Sequence, residues 1–262
     1  MGSIRQAVSR PLRHLLACSI VWLTSAPAMA DLPDVIEQIK PSIVVVGTYA
    51  KTRSPAFVMR GTGFAVGDGS LVATNVHVVP GVLDAANGET LVILALSGKT
   101  GVQQRPAKIE ISDKSHDLAL LKIEGTPLPA LVLQDTGRVR EGQSVAFTGF
   151  PIGSVLGLSP VTHRGIISAI TPIALPGGSA NQLNEKVIKR LKSGPFEIYQ
   201  LDGTAYPGNS GGPLFETDRG EVIGIVNMVF VKGTKESVLT NPSGISYAVP
   251  VLYLQELLRE LR

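Results

Sequence analysis

Gly208-Asn209-Ser210-Gly211-Gly212-Pro213 is the stretch on which the reading of this chain turns, and an apolar run, Val222 to Val226, follows it closely. Glycine costs backbone entropy and brings no side chain to pack, so a serine set among glycines needs a reason. One reason is a backbone that must turn tightly and aim successive N–H groups into one small space. Such a space holds an oxyanion while the serine hydroxyl attacks the carbon that bears it. Taken alone, the same residues favour a plain glycine-rich turn between two strands. The rest of the chain decides.

A serine hydroxyl is a poor nucleophile until a base takes its proton and a third group orients that base. The chain has four histidines, His14, His77, His116 and His163, all ahead of Ser210. That order excludes the α/β-hydrolase arrangement, where the histidine comes last, and with it an esterase of that fold. The order histidine, aspartate, serine stays open. His77 ends the apolar stretch that begins at Leu71, and Asp117 opens the largely apolar run Leu118 to Ile123. A carboxylate there is costly unless a hydrogen-bond partner awaits it. His116 competes as a base, but neighbours in an extended strand point to opposite faces, so His116 and Asp117 do not both face one cleft. His163 reads as an exposed residue near a strand start. Each residue also has a plain explanation, a core histidine or a turn-forming aspartate.

Short β-rich runs separated by glycine and proline recur: 42–49, 63–66, 71–74, 90–96, 119–123, 144–147, 165–170, 197–201, 221–229 and 244–248. They predict an all-β barrel or sandwich, without the helix–strand alternation of a doubly wound sheet. Helices are expected at 33–40, with Val35, Ile36 and Ile39 on one face and Pro41 ending it, and at 250–262. The second carries Leu254, Leu257, Leu258 and Leu261 on one stripe behind Pro250.

The runs Thr74 to Val79, Asp117 to Lys122 and Gly208 to Pro213 resemble the three catalytic blocks of the trypsin-like serine proteases, most closely the HtrA/Deg branch of bacterial periplasmic proteases. Gly61-Thr62-Gly63-Phe64, Gly165 to Ala169 and Gly244 to Pro250 agree with it, and the similarity spans Val35 to Arg262. The resemblance implies two six-stranded antiparallel β-barrels of the chymotrypsin kind within a domain at 31–262. Barrel 1 would cover about 42–124, barrel 2 about 142–249, and a C-terminal helix 250–262. It further implies His77 as base, Asp117 as its orienting carboxylate, Ser210 as nucleophile, and the N–H groups of Gly208 and Ser210 as oxyanion hole. Thr204 and Ala205 would form the base of the specificity pocket, with Val226, Asn227 and Met228 as its wall. Thr204 stands where a trypsin-like enzyme carries an aspartate, so a small or aliphatic residue is expected before the scissile bond. Asp202 reads as structural. Asn209 replaces the aspartate that pairs with a new amino terminus in the digestive enzymes, which implies activation by loop ordering.

The first thirty residues read as a secretory signal peptide. Arg5, Arg10 and Arg13 precede the apolar stretch Leu15 to Leu23, and Ala28-Met29-Ala30 offers a cleavage site before Asp31. A membrane anchor would need a longer apolar run. Three of the 24 basic residues lie there and no acid does, leaving 21 basic against 21 acidic residues, a balance that gives no basic footprint for nucleic acid. The single cysteine, Cys18, lies there too, so no disulfide or thiol nucleophile is expected after cleavage. The expectation is a periplasmic or secreted endopeptidase acting on protein or peptide substrates, with no cofactor, metal or membrane anchor. Its alternative is a silent or conditionally activated, chaperone-like binding module on the same fold. The resemblance leaves a homotrimer open. The PDZ domains usual in the family have no room before Arg262. The stretch 176–195, with Leu183, Val187 and Leu191 four apart, is read as a surface helix or a regulatory loop.

Overall fold

A computed structural model describes Gly2 and residues 31–97, 101–134, 139–153, 158–172, 196–227 and 245–261. The signal-peptide reading, Cys18, Met228, Gly244 and the stretch 176–195 lie outside these residues.

Two closed antiparallel barrels of six strands each make up the molecule. Barrel 1 comprises β1 (Ile43–Tyr49), β2 (Phe57–Val66), β3 (Leu71–Asn75), β4 (Thr90–Ser97), β5 (Gly101–Asp113) and β6 (Leu118–Ile123). Barrel 2 comprises β7 (Ser144–Gly149), β8 (Val161–Pro172), β9 (Glu197–Asp202), β10 (Pro213–Glu216), β11 (Val222–Asn227) and β12 (Ile245–Pro250). The order around barrel 1 is β1-β2-β3-β6-β5-β4, and barrel 2 repeats it as β7-β8-β9-β12-β11-β10. Closure removes the exposed edges of an open sheet.

The apolar runs are continuous rather than alternating because both faces of many strands are covered. In β1, Val44 and Val46 join a cluster drawn from barrel 1, with Val72, Ile93, Ala119 and Leu121. Ile43 and Val45 join a second cluster with Phe64 and Leu118, which runs on to Phe150, Val222, Ile225 and Val249 of barrel 2. A third, including Val145, Phe147, Ile167, Leu201 and Val226, belongs to barrel 2.

α1 (Leu32–Ile39) starts at Asp31, whose carboxylate accepts the Leu32 N–H. Pro41 sits within a 3-10 turn, Lys40–Ser42, rather than ending the helix outright. Val35 and Ile39 are buried against Ala146 and Phe215 of barrel 2. Full burial of such side chains stabilises by about 1.5–3 kcal/mol each. α2 (Val251–Arg259) follows Pro250 and buries Val251, Leu254 and Leu257. Leu261 lies beyond it and is exposed, so the stripe is shorter than the leucine spacing suggests.

Two strands escape the sequence reading. β5 is thirteen residues long but mostly exposed, polar and interrupted by Pro106, so it has no apolar alternation. β10 is four residues long and follows the glycine-rich turn directly.

Candidate active site

β3 ends at Asn75, and a 3-10 turn over Val76–Val78 carries His77. The turn is fixed from the neighbouring strand: the Asp117 carbonyl, just ahead of β6, accepts the Val76 N–H at 3.0 Å and the Asn75 Nδ2 at 3.1 Å. Asp117 does not open an extended strand. It sits one residue ahead of β6 with φ +58, in the left-handed region that aspartate tolerates better than most residues. That turn sends its carboxylate back to the histidine. Oδ2 lies 2.6 Å from His77 Nδ1, and Oδ1 accepts the His77 backbone N–H at 3.0 Å. Asn227, at the end of β11, donates from Nδ2 to the same Oδ2 at 2.8 Å. Asp117 is buried, and three donors satisfy it. This is the compensation that a carboxylate beside an apolar run requires.

His116 is set aside for a different reason than strand alternation. Its ring stacks on Tyr253 of α2, centroids 3.9 Å apart, and meets Phe196 edge-on at 4.7 Å. Its Nδ1 pairs with Asp113. His163 does lie near the start of a strand, but it is not exposed. It is half-buried in β8 and stacks on Phe147.

Ser210 comes from barrel 2, but its backbone is docked on barrel 1. Its carbonyl accepts the Thr62 N–H at 2.8 Å. Gly211 has φ +85, and a Cβ there would lie 2.1 Å from the Thr62 carbonyl oxygen, so only glycine fits this approach. The Thr62 carbonyl also accepts the Thr74 hydroxyl at 2.7 Å, which links this contact to the strand that leads to His77. Gly208 has φ +106, and its carbonyl accepts the Thr62 hydroxyl at 2.6 Å. Ahead of it the Pro207 carbonyl accepts the Ile152 N–H at 2.8 Å. A trans peptide points its C=O and N–H in opposite directions, so the Gly208 N–H faces away from Ile152. No acceptor among the described residues takes the N–H of Gly208 or Ser210. Nor does a hydrogen bond among them join the Ser210 hydroxyl to His77. Such contacts are often long in resting enzymes and tighten with substrate.

Of the residues expected at the specificity pocket, Thr204, Ala205, Val226 and Asn227 are described. Thr204 is half-buried and Ala205 buried in the segment between β9 and Ser210. The Ser246 hydroxyl accepts the Ala205 N–H at 2.7 Å and donates to the Gly203 carbonyl at 2.6 Å. Val226, however, is fully buried in the barrel 2 core, because β11 has both faces covered. Asn227 turns its side-chain amide to Asp117. Asp202 is exposed at the end of β9. The sequence reading gave no role to Thr62 or Ser246 and did not foresee the bond from Asn227 to Asp117. The run Gly61-Thr62-Gly63 was the one available signal, since small residues mark close backbone approach.

A family model described as the trypsin-like peptidase domain matches residues 61–225. The probable periplasmic serine endoprotease DegP-like of Halomonas elongata is 33% identical over 202 residues, covering 77% of this chain and 35% of that protein. Serine protease HTRA1A of Danio rerio is 31% identical over 233 residues, covering 87% of this chain and 41% of that protein. The chain thus spans well under half the length of these curated relatives. The solved structure of the HtrA-type protease AlgW with a tripeptide superposes with a TM-score of 0.63 at 24% identity, over 88% of this chain and 64% of that one. At that identity the likeness bears on the fold alone.

Proposed function

Because the chain belongs to the trypsin-like peptidase family, we propose that it is an exported serine endopeptidase that cleaves unfolded or accessible protein segments. The observation that carries the reading is the paired His77 and Asp117, 2.6 Å apart in barrel 1, beside a nucleophile turn from barrel 2 whose backbone is hydrogen-bonded to Thr62. In this reading Ser210 Oγ attacks the peptide carbonyl as His77 Nε2 takes its proton. His77 then returns that proton to the leaving amine. Water enters by the reverse path to release the acyl group, with His77 again as base. Asp117 holds Nδ1–H, fixes the tautomer and stabilises the imidazolium. The N–H groups of Gly208 and Ser210 receive the oxyanion, a term worth about 2.7–4 kcal/mol per donor in related chemistry.

Export rests on the signal-like residues 1–30, and the periplasm as destination on the names of bacterial relatives such as that of Halomonas elongata. Amino-terminal sequencing of the exported protein should begin at Asp31. A second reading, a binding module that is normally silent, draws on the lack of a Ser210–His77 hydrogen bond among the described residues. Casein hydrolysis by the wild type, lost in Ser210→Ala at unchanged circular dichroism, separates the two. Equal cleavage by both proteins in preparations free of contaminating protease would sink the assignment of Ser210. No cleavage by either, with no fluorophosphonate labelling of Ser210, would favour the silent module.

A further inference from the structure

His163 plays no part in the site described so far. It is the third residue of β8 and stands opposite Phe147 of β7. Its ring stacks on Phe147 with centroids 5.0 Å apart and planes at 21°, and the Tyr206 ring lies 6.1 Å away at 44°. Burial holds its pKa below the ordinary imidazole value, which keeps the ring neutral at neutral pH. Its Nε2 is buried and meets no hydrogen-bond partner among the described residues. Buried polar atoms are nearly always partnered, and an exception calls for a functional account.

The strand register shows where this nitrogen sits. β8 runs antiparallel to β9 with Ile166 opposite Asp202, so continuing both chains brings His163 beside residues 203–206. The packing is close there: a Cβ on Gly165 would lie 2.1 Å from the Asp202 carbonyl oxygen. A Cβ on Gly203 would lie 3.6 Å from Phe147 Cε1, part of the ring on which His163 stacks. Ser246 pins this segment through Gly203 and Ala205. The segment then runs through Pro207 and Gly208 into Ser210. His163 therefore lies under the wall that leads from β9 to the nucleophile.

We propose that His163 is a specificity-determining residue, selecting before the scissile bond a side chain that ends in a neutral carboxamide, as in glutamine, over an aliphatic one of like size. The inference rests on the endopeptidase reading above. A neutral imidazole has one N–H and one lone pair, and a carboxamide, with an acceptor and donors, matches either tautomer. Leucine fits a similar volume but leaves Nε2 unpaired, and a site that hydrogen-bonds its substrate discriminates strongly against the analogue lacking the group. Among the described residues, Arg164 beside His163 is exposed and Asp202 is acidic, so neither favours a glutamate side chain there. This proposal departs from the expectation of a small or aliphatic residue, which rested on the lack of a charge at the pocket base.

The test uses fluorogenic peptides that differ only at that residue, carrying glutamine, leucine or glutamate. The wild type should favour glutamine over leucine at least tenfold in kcat/KM. His163→Phe, which keeps an aromatic ring without the hydrogen bond, should lower that ratio about tenfold or more; His163→Gln should retain part of it. A wild type that favours leucine, or a ratio unchanged in both variants, overturns the proposal. If a variant fails to fold, the wild-type ratio alone decides. Fluorophosphonate labelling of wild-type Ser210 reads the underlying assignment separately. Labelling with a flat or leucine-favouring profile removes the role of His163 only, whereas no labelling and no Ser210-dependent cleavage removes both.

Discussion

Thr62 of barrel 1 donates its hydroxyl to the Gly208 carbonyl at 2.6 Å, across the boundary between the barrels. The Thr62 Oγ1 also accepts the Phe150 N–H at 3.1 Å, and the Thr62 backbone N–H donates to the Ser210 carbonyl. One side chain in one barrel thus sets the backbone that would receive an oxyanion in the other.

Thr62→Val should therefore lower kcat by roughly tenfold to a hundredfold with little change in KM, because a small displacement of catalytic groups carries that cost. Thr62→Ser should recover most of the activity. Steady-state kinetics on a peptide substrate checks both, and equal kcat in all three proteins would refute a positioning role. The valine should also cost about 1–3 kcal/mol of stability by leaving buried backbone groups unpaired.

Asp117→Asn should cut kcat by about 10⁴ through the wrong histidine tautomer, without unfolding the protein. Asparagine tolerates the left-handed φ of +58, so the backbone at this position stays unstrained. His116→Ala should act far less on kcat, since its ring faces α2. A reversed ranking of the two variants in a kinetic assay would show that the base has been given the wrong partner.

Asn227→Leu removes one of the donors to Asp117 Oδ2 and should lower kcat about tenfold. Steady-state kinetics on a peptide substrate checks this, and a kcat equal to that of the wild type would confine Asn227 to packing.

Asp113 tests the electrostatics away from the site. Burial acts to raise its pKa, but the His116 hydrogen bond and charge, with the Ser115 and His116 N–H groups, hold it below the usual carboxylate value. A lowered carboxylate stabilises the fold above its unfolded pKa and loses that contribution as pH falls through the folded value. Asp113→Asn should thus be less stable than wild type by about 0.5–1 kcal/mol at neutral pH. The two should converge below the ordinary value of 3.8. Urea denaturation from pH 7 to pH 3 measures the difference, and a gap that widens on acidification would contradict the sign.

Residues near the nucleophile were legible because their chemistry is local. Gly208 and Gly211 announce backbone conformations that other residues resist, and the order of His77, Asp117 and Ser210 along the chain limits the folds that can join them. Relationships across the barrels were not legible. Asn227 reads as a pocket residue in sequence, because nothing in Val222 to Val226 shows which way β11 ends. His116 and Asp117 looked separable by strand alternation, yet the left-handed turn at Asp117 breaks that rule. β5 was missed since its support comes from hydrogen bonds to β4 and β6 rather than from an apolar face.

The terminal helices cross over. α1 precedes barrel 1 in sequence yet buries Val35 and Ile39 on barrel 2, beside Ala146 and Phe215. α2 follows barrel 2, and its Tyr253 stacks on His116 of the β5–β6 turn in barrel 1. α1 is a strap fastened to the opposite half, and α2 is one that spans both, since Leu254 and Leu257 share a cluster with Leu118 of barrel 1 and Ile225 of barrel 2. Pulling the barrels apart means peeling both straps, so the halves should melt together as one cooperative unit. A cleft built this way can flex, but it cannot gape without the whole domain coming undone.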